Sequence, residues 1–173
     1  RLYERLNHWL KSNWKFQARK NISYHYDLGN QFYREWLDKT MTYSSALFKN
    51  KKEVLSSAQT NKYESICKNL NLKEGDSVLE IGCGWGGFAE HAIKTRGVKL
   101  TGLTLSKEQL DYSKKRMFEL GMADKSSFLL QDYRDEKGVY DGVVSIEMFE
   151  AVGEKYWPTS VSYTHLTLPT NSG

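Results

Sequence analysis

Cysteine is scarce in this chain: its 173 residues hold only Cys67 and Cys83. Two thiols cannot make a disulfide framework, and neither has the spacing of a metal ligand. Both read as reduced, cytoplasmic thiols, and no metal is expected. Long apolar runs are missing too, since no stretch approaches the roughly 20 residues that a membrane-spanning helix needs. There is no internal repeat and no long linker. No signal peptide is visible, although the chain opens at Arg1 without a Met, which leaves room for a preceding segment. Disorder is excluded by composition, at 39% hydrophobic and 27% charged residues. The length suits one globular domain with a proper core.

What charge there is lies unevenly. Residues 1–52 carry eleven Lys/Arg against four Asp/Glu, a local +7, and the remainder carries fourteen against seventeen, or −3. The same 52 residues hold eleven of the twenty-three aromatics, Trp9, Trp14 and Trp36 among them. Basic side chains mixed with Trp and Tyr suit an anionic membrane interface. Nucleic acid would attract the same basic residues, and a solvated basic face over an aromatic core would look alike. Charge alone leaves these open.

Leu2, Leu6, Trp9 and Leu10 recur at helical spacing, so residues 2–18 read as a basic amphipathic helix. A short helix is expected over 30–38 and another over 53–70. Strand and helix then alternate: strand 77–82, helix 86–96, strand 98–104, helix 106–120, strand 126–131 and strand 140–146. This is the pattern of βαβ units around a parallel sheet. Ser106 with Gln109 three residues on predicts a capping box at the second crossover helix. Gly82, Thr104, Asp132 and Ile146 fall at strand ends, where such sheets bind ligands. The tail from Ser160 to Gly173 has no charge and no helical period. It reads as unrelated sequence after a truncated domain, a genuine terminal loop being the alternative.

Val78-Leu79-Glu80-Ile81-Gly82-Cys83-Gly84-Trp85-Gly86-Gly87-Phe88-Ala89 is the most informative stretch. A buried strand ends in a turn tight enough to need residues without Cβ, followed by an open helix N-terminus. Such a loop serves a dinucleotide or S-adenosylmethionine, an ordinary glycine-rich turn being the bland alternative. Gly82, Gly84 and Gly87 satisfy G-x-G-x-x-G, but the dinucleotide fingerprint also wants a carboxylate about 20 residues on. That strand tip holds Thr104. Glu80, two residues before the first glycine, suits a methyltransferase better, because it can orient the loop or meet a cationic amino-acid group.

Further motifs flank the loop. His25-Tyr26-Asp27-Leu28-Gly29-Asn30, Leu37-Asp38 and Met41-Thr42-Tyr43-Ser44-Ser45-Ala46 precede it. Gly102-Leu103-Thr104-Leu105-Ser106-Lys107-Glu108-Gln109 and Ser145-Ile146-Glu147-Met148-Phe149-Glu150-Ala151-Val152-Gly153 follow it. Together, from about Tyr24 to Pro158, they resemble the cyclopropane-fatty-acyl-phospholipid synthase family, including the mycolic acid cyclopropane synthases. The resemblance implies an α/β, Rossmann-like class I S-adenosylmethionine-dependent methyltransferase fold with an N-terminal helical segment and its C-terminal strands missing. It divides the chain into a basic, aromatic-rich segment over 1–52 that covers lipid and active site, a partial cofactor-binding domain over 53–159, and a non-native or disordered tail over 160–173.

The reaction so implied adds a methylene across a cis double bond of a phospholipid acyl chain. A carbocation forms, and a base removes a proton from the new methyl group. Alkenes are poor nucleophiles, so proximity, water exclusion and aromatic faces for the cation are required. By resemblance, Tyr26 lies near the sulfonium, and a bound bicarbonate is the base. Glu150 orients that anion, Ile146 gives it a backbone contact, and Ser45 stands where the family often has cysteine, still offering its backbone N–H. Later histidine and tyrosine ligands fall beyond this sequence.

For the cofactor, Tyr43 and Ser44 match the methionine end, and the loop supplies Glu80, Gly82, Cys83, Gly84 and Gly86. Thr104, Leu105 and Gln109 match the ribose segment, and Asp132 and Tyr133 the adenine site. The implied partner is phospholipid at the inner, cytoplasmic face of a membrane, with peripheral attachment and no nucleic acid; a homodimer is compatible. Two rivals remain, a small-molecule N- or O-methyltransferase and a non-catalytic membrane- or cofactor-binding fragment. His-Tyr-Asp and Phe-Glu argue against the first.

Overall fold

The structure, a computed structural model, describes residues 29–148. The amphipathic helix expected over 2–18, Tyr26, Glu150 and the 160–173 tail lie outside the described residues. A short helix α1 (Gly29–Arg34) and a longer α2 (Leu55–Asn69) precede the alternating part. Then come β1 (Ser77–Ile81), α3 (Gly87–Arg96), β2 (Lys99–Thr104), α4 (Lys107–Glu119), β3 (Ser126–Leu130) and β4 (Gly142–Ser145). Short 3-10 turns at Ala123–Lys125 and Tyr133–Asp135 bracket β3.

The four strands are all parallel, in the order β3-β2-β1-β4. The chain therefore builds outward from β1 to β3 and returns to the other side of β1. That reversal puts a topological switch point between β1 and β4, where α/β sheets open a crevice at their carboxyl ends. β1 is central, and its last four residues are all buried, as expected of a strand covered on both faces. Val78, Phe88, Ala92, Val98, Leu100 and Met117 join the larger core on one side, with Tyr63 and Cys67 of α2. Leu79, Ile81 and Leu103 form the smaller core on the other. Each large apolar side chain so buried stabilises the fold by about 1.5–3 kcal/mol relative to exposure.

Two local expectations need correction. The helix expected over 30–38 ends at Arg34, because the chain tightens there: Glu35 N–H bonds Phe32 O, and Leu37 N–H reaches Tyr33 O at 2.9 Å. The capping box at Ser106 is only half made. Ser106 Oγ accepts from Gln109 N–H, but Gln109 does not reach back to the Ser106 amide. Thr104 Oγ1 takes that amide at 3.1 Å and itself donates to Gln109 Oε1 at 2.8 Å. A hydroxyl at the strand end displaces the glutamine and carries it into the site below.

Candidate cofactor site

At the carboxyl ends of β1, β2 and β4 lies a cleft of about 230 Å³. Its floor is the loop after β1. Gly82 and Cys83 N–H groups both bond Leu103 O, at 3.0 and 2.9 Å, which ties the loop to the end of β2. Gly84 has φ +53 and open space where a Cβ would stand, so the backbone itself faces the cleft. Gly87 is small for a different reason: a Cβ there would come within 2.7 Å of Tyr63 Oη. Gly86 does not line the cleft. It starts α3 in the left-handed region and faces Ser113 and Met117 of α4.

Under this loop Glu80 is only 3% exposed and lines the cleft. Its Oε2 is buried without a hydrogen-bond partner. Burial pushes its carboxyl well above the usual range, with Arg116 and Lys62 pulling it back. An orphaned buried carboxyl is costly, and such groups concentrate where a ligand completes them. Cys83 beside it is buried and its thiol is raised well above normal by the same burial, so it is a packing residue and not a thiolate.

The β2 side supplies Thr104, Leu105 and Gln109, all lining the cleft. The Thr104 bond turns the Gln109 carboxamide oxygen inward and leaves its Nε2 donors as the end available to a ligand. After β3, Asp132 and Tyr133 line the same cleft. Both Asp132 oxygens are engaged by Arg134, at 2.8 and 2.6 Å, and Oδ1 also caps the 3-10 turn through Arg134 N–H. Its carboxylate is thus committed to shaping the turn.

The opposite wall comes from the segment before α2. Tyr43 and Ser44 line the cleft. Tyr43 stands at 5.1 Å and 89° to Trp36 and at 5.7 Å from Tyr33, so an aromatic wall borders the site. The segment is fastened from α2: Thr42 Oγ1 and Tyr63 Oη lie 2.8 Å apart, and Gln59 Nε2 donates to Ser44 O at 2.8 Å. Lys62 Nζ donates to Ser44 Oγ, Ser45 O and Gln59 Oε1. Burial lowers the Lys62 pKa to about 8. Arg116 clasps the loop from α4, bonding Trp85 O, Thr40 O and the Glu90 carboxylate.

Ile146 and Glu147 close the cleft at the end of β4. Ser45 lies just behind that wall, and its N–H donates to Glu147 Oε1 at 2.8 Å, as does its hydroxyl. Sequence reasoning missed Gln59, Lys62, Tyr63, Arg116 and Glu147. The first four act through contacts made 15 or more residues away. Glu147 sits inside a recognised motif, and its signal was a carboxylate where a strand end turns back.

A parallel sheet with this switch point, a glycine loop and a buried acid beneath it define a Rossmann-like class I S-adenosylmethionine-dependent methyltransferase fold. The family model for mycolic acid cyclopropane synthetases matches residues 13–172, and the chain belongs to that family. It is 44% identical over 135 residues to the cyclopropane-fatty-acyl-phospholipid synthase of Escherichia coli K12, covering 78% of this chain and 34% of that protein. It is 41% identical over 149 residues to tuberculostearic acid methyltransferase UfaA1 of Mycobacterium tuberculosis, covering 82% and 35%. Among solved structures, mycolic acid cyclopropane synthase CmaA1 complexed with SAH and CTAB superposes at a TM-score of 0.84. Identity there is 33%, over 88% of this chain and 53% of that one. The chain spans about a third of the length of these curated relatives and about half of that solved chain.

Proposed function

We propose that the protein carrying this chain uses S-adenosylmethionine to add a methylene, or a methyl group, to the cis double bond of phospholipid-bound unsaturated acyl chains. The observation that carries the reading is the buried Glu80 carboxyl, its Oε2 without a hydrogen-bond partner, under an open glycine loop. A cationic ligand offsets that uncompensated acid, and S-adenosylmethionine carries both a sulfonium and an ammonium. Family membership supports the lipid side, because the relatives just named act on fatty acyl chains by their names.

The residues present fit the cofactor. The Gly82–Gly87 backbone would receive its amino-acid end beside Tyr43 and Ser44, Gln109 Nε2 would donate to ribose oxygens, and Tyr133 would stack on adenine. Bound there, S-adenosylmethionine supplies an electrophilic methyl group. The chain's own part is to hold the alkene close, exclude water and face the developing cation with an aromatic ring, for which Tyr43 on the cleft wall is placed, backed by Tyr33 and Trp36. Phe32 and Trp36, in ring contact beside this wall, are exposed apolar residues suited to an entering acyl chain.

This reading makes the protein peripheral at the cytoplasmic face of a membrane, drawn there by the +7 segment. Among the described residues no helix is long and apolar enough to cross a membrane. The test is mass spectrometry of lipids from cells expressing the full-length gene. A gain of one methylene per modified acyl chain is expected; loss of the unsaturation signal marks ring closure, and its retention marks simple C-methylation. Unchanged lipids, with cofactor binding intact by calorimetry, would overturn the lipid assignment.

A further inference from the structure

Glu147 is the most unusual residue of the cleft wall. It follows β4 directly, at the switch point, and holds φ +52, a conformation that costs a non-glycine residue about 1–3 kcal/mol. What the strained backbone achieves is visible. It turns the side chain back so that Oε1 accepts both the N–H and the hydroxyl of Ser45, across 102 positions of sequence. Ser45 is itself fixed, because its carbonyl accepts from Lys62 Nζ at 2.8 Å. The Ser45 bonds and the nearby Lys62 charge hold the Glu147 carboxyl below its ordinary range, so it is ionised at neutral pH.

The Ser45 N–H is the donor that the family resemblance assigns to bicarbonate. In this chain a tethered carboxylate already occupies it. A carboxylate and a bicarbonate have the same charge and the same paired-oxygen shape, and two such anions on one donor repel each other. A tethered group also holds its place at an effective concentration that a free ion does not reach. The residues described here therefore do not fit a bound bicarbonate.

We propose that Glu147 takes the place of bicarbonate as the proton acceptor of this site. The inference rests on the methyl-transfer reading above. Once the acyl chain carries the new methyl group and a carbocation, one C–H bond of that methyl group breaks. The electron pair of that bond forms the second C–C bond of the ring, and the proton passes to a Glu147 carboxylate oxygen. Charge and atoms balance without an added oxidant, reductant or free base.

The test uses 13C-labelled bicarbonate titrated into the full chain and observed by NMR, without cofactor, for wild type, Glu147→Gly and Glu147→Gln. Glu147→Gly also relieves the positive φ, so it keeps the fold. Wild type and Glu147→Gln are expected not to broaden the bicarbonate line, and Glu147→Gly to broaden it. In the full-length protein, lipid methylation by wild type is expected to be indifferent to bicarbonate depletion. Glu147→Gly should lose about 10²–10⁴-fold in turnover and recover with added bicarbonate, whereas Glu147→Gln should lose as much and not recover. Bicarbonate binding to wild type, or near-normal turnover of Glu147→Gln, would overturn the proposal. A wild type that binds cofactor but methylates no lipid would overturn the functional reading and the proton-acceptor role with it. The NMR arm would still decide which anion holds the Ser45 donors.

Discussion

Two walls of one cleft are built by different means. The loop between β1 and α3 is set by backbone: glycines in the left-handed region, amides tied to Leu103 O, and a helix N-terminus left without a side-chain cap. The segment from Thr40 to Ser45 has no regular structure of its own, and side chains from α2, α4 and the end of β4 hold it. A ligand common to a whole fold class can be met by backbone, which tolerates sequence change as long as the glycines remain. A variable substrate and its chemistry are met by side chains, which can be exchanged singly. The Ser45–Glu147 contact is of that side-chain kind.

The sharpest way to break the backbone wall is Gly84→Val. A β-branched residue at φ +53 is strained, and its side chain would occupy the space that faces the cleft. Affinity for S-adenosylmethionine by calorimetry should fall by roughly 100-fold or more, the equivalent of about 3 kcal/mol. Circular dichroism should show the fold intact. Unaltered affinity would mean that the loop is not the cofactor site, and a preference for a nicotinamide dinucleotide would revive the other use of such a loop.

Glu80→Gln should separate binding from stability. Cofactor affinity should drop by about tenfold, one charge-assisted interaction. The free protein should melt at a higher temperature than wild type at pH 7. The sign follows from the raised carboxyl: above pH 4.5 the unfolded chain releases this proton while the buried group keeps it. The native state then binds more protons, so wild-type stability falls as pH rises through that window. The amide variant lacks that slope, and the two melting curves should converge below about pH 4.5. A Gln variant less stable than wild type at neutral pH would mean that Glu80 is satisfied in the free protein.

On the side-chain wall, Lys62 should titrate near 8 in an NMR titration, below the usual 10.5. Between those values the native state lacks a proton that the unfolded chain still holds, so this group makes stability rise with pH from about 8 to 10.5. A Lys62 midpoint near 10.5 would show that the Ser44–Ser45 anchor is solvated and loose. The smallest effect is expected for Tyr63→Phe, which removes one hydroxyl contact to Thr42 and should cost about 1 kcal/mol in denaturant unfolding. Cofactor affinity should hardly move, since the bond between Thr40 Oγ1 and Thr42 Oγ1 at 2.7 Å remains.

The sequence alone determined the sheet, the glycine loop, the order of strands and helices, and the family. These rest on local signals: apolar runs for the buried strands, 3.6-residue periodicity for helices, glycines where a turn forbids Cβ, and motifs read within a few residues. The first helix ended early where a competing local bond won, at Arg34, and the cap at Ser106 was only half made because the Thr104 hydroxyl took its amide from Gln109. Tertiary structure alone decided that β4 returns beside β1 and so brings Glu147 to Ser45. It alone buried Glu80 with its Oε2 lacking a hydrogen-bond partner and drew Lys62, Tyr63 and Arg116 into the wall. Local propensity is written in neighbouring residues. The free energy of a buried charge is set by whatever folding brings within a few ångströms of it, and no local pattern records that.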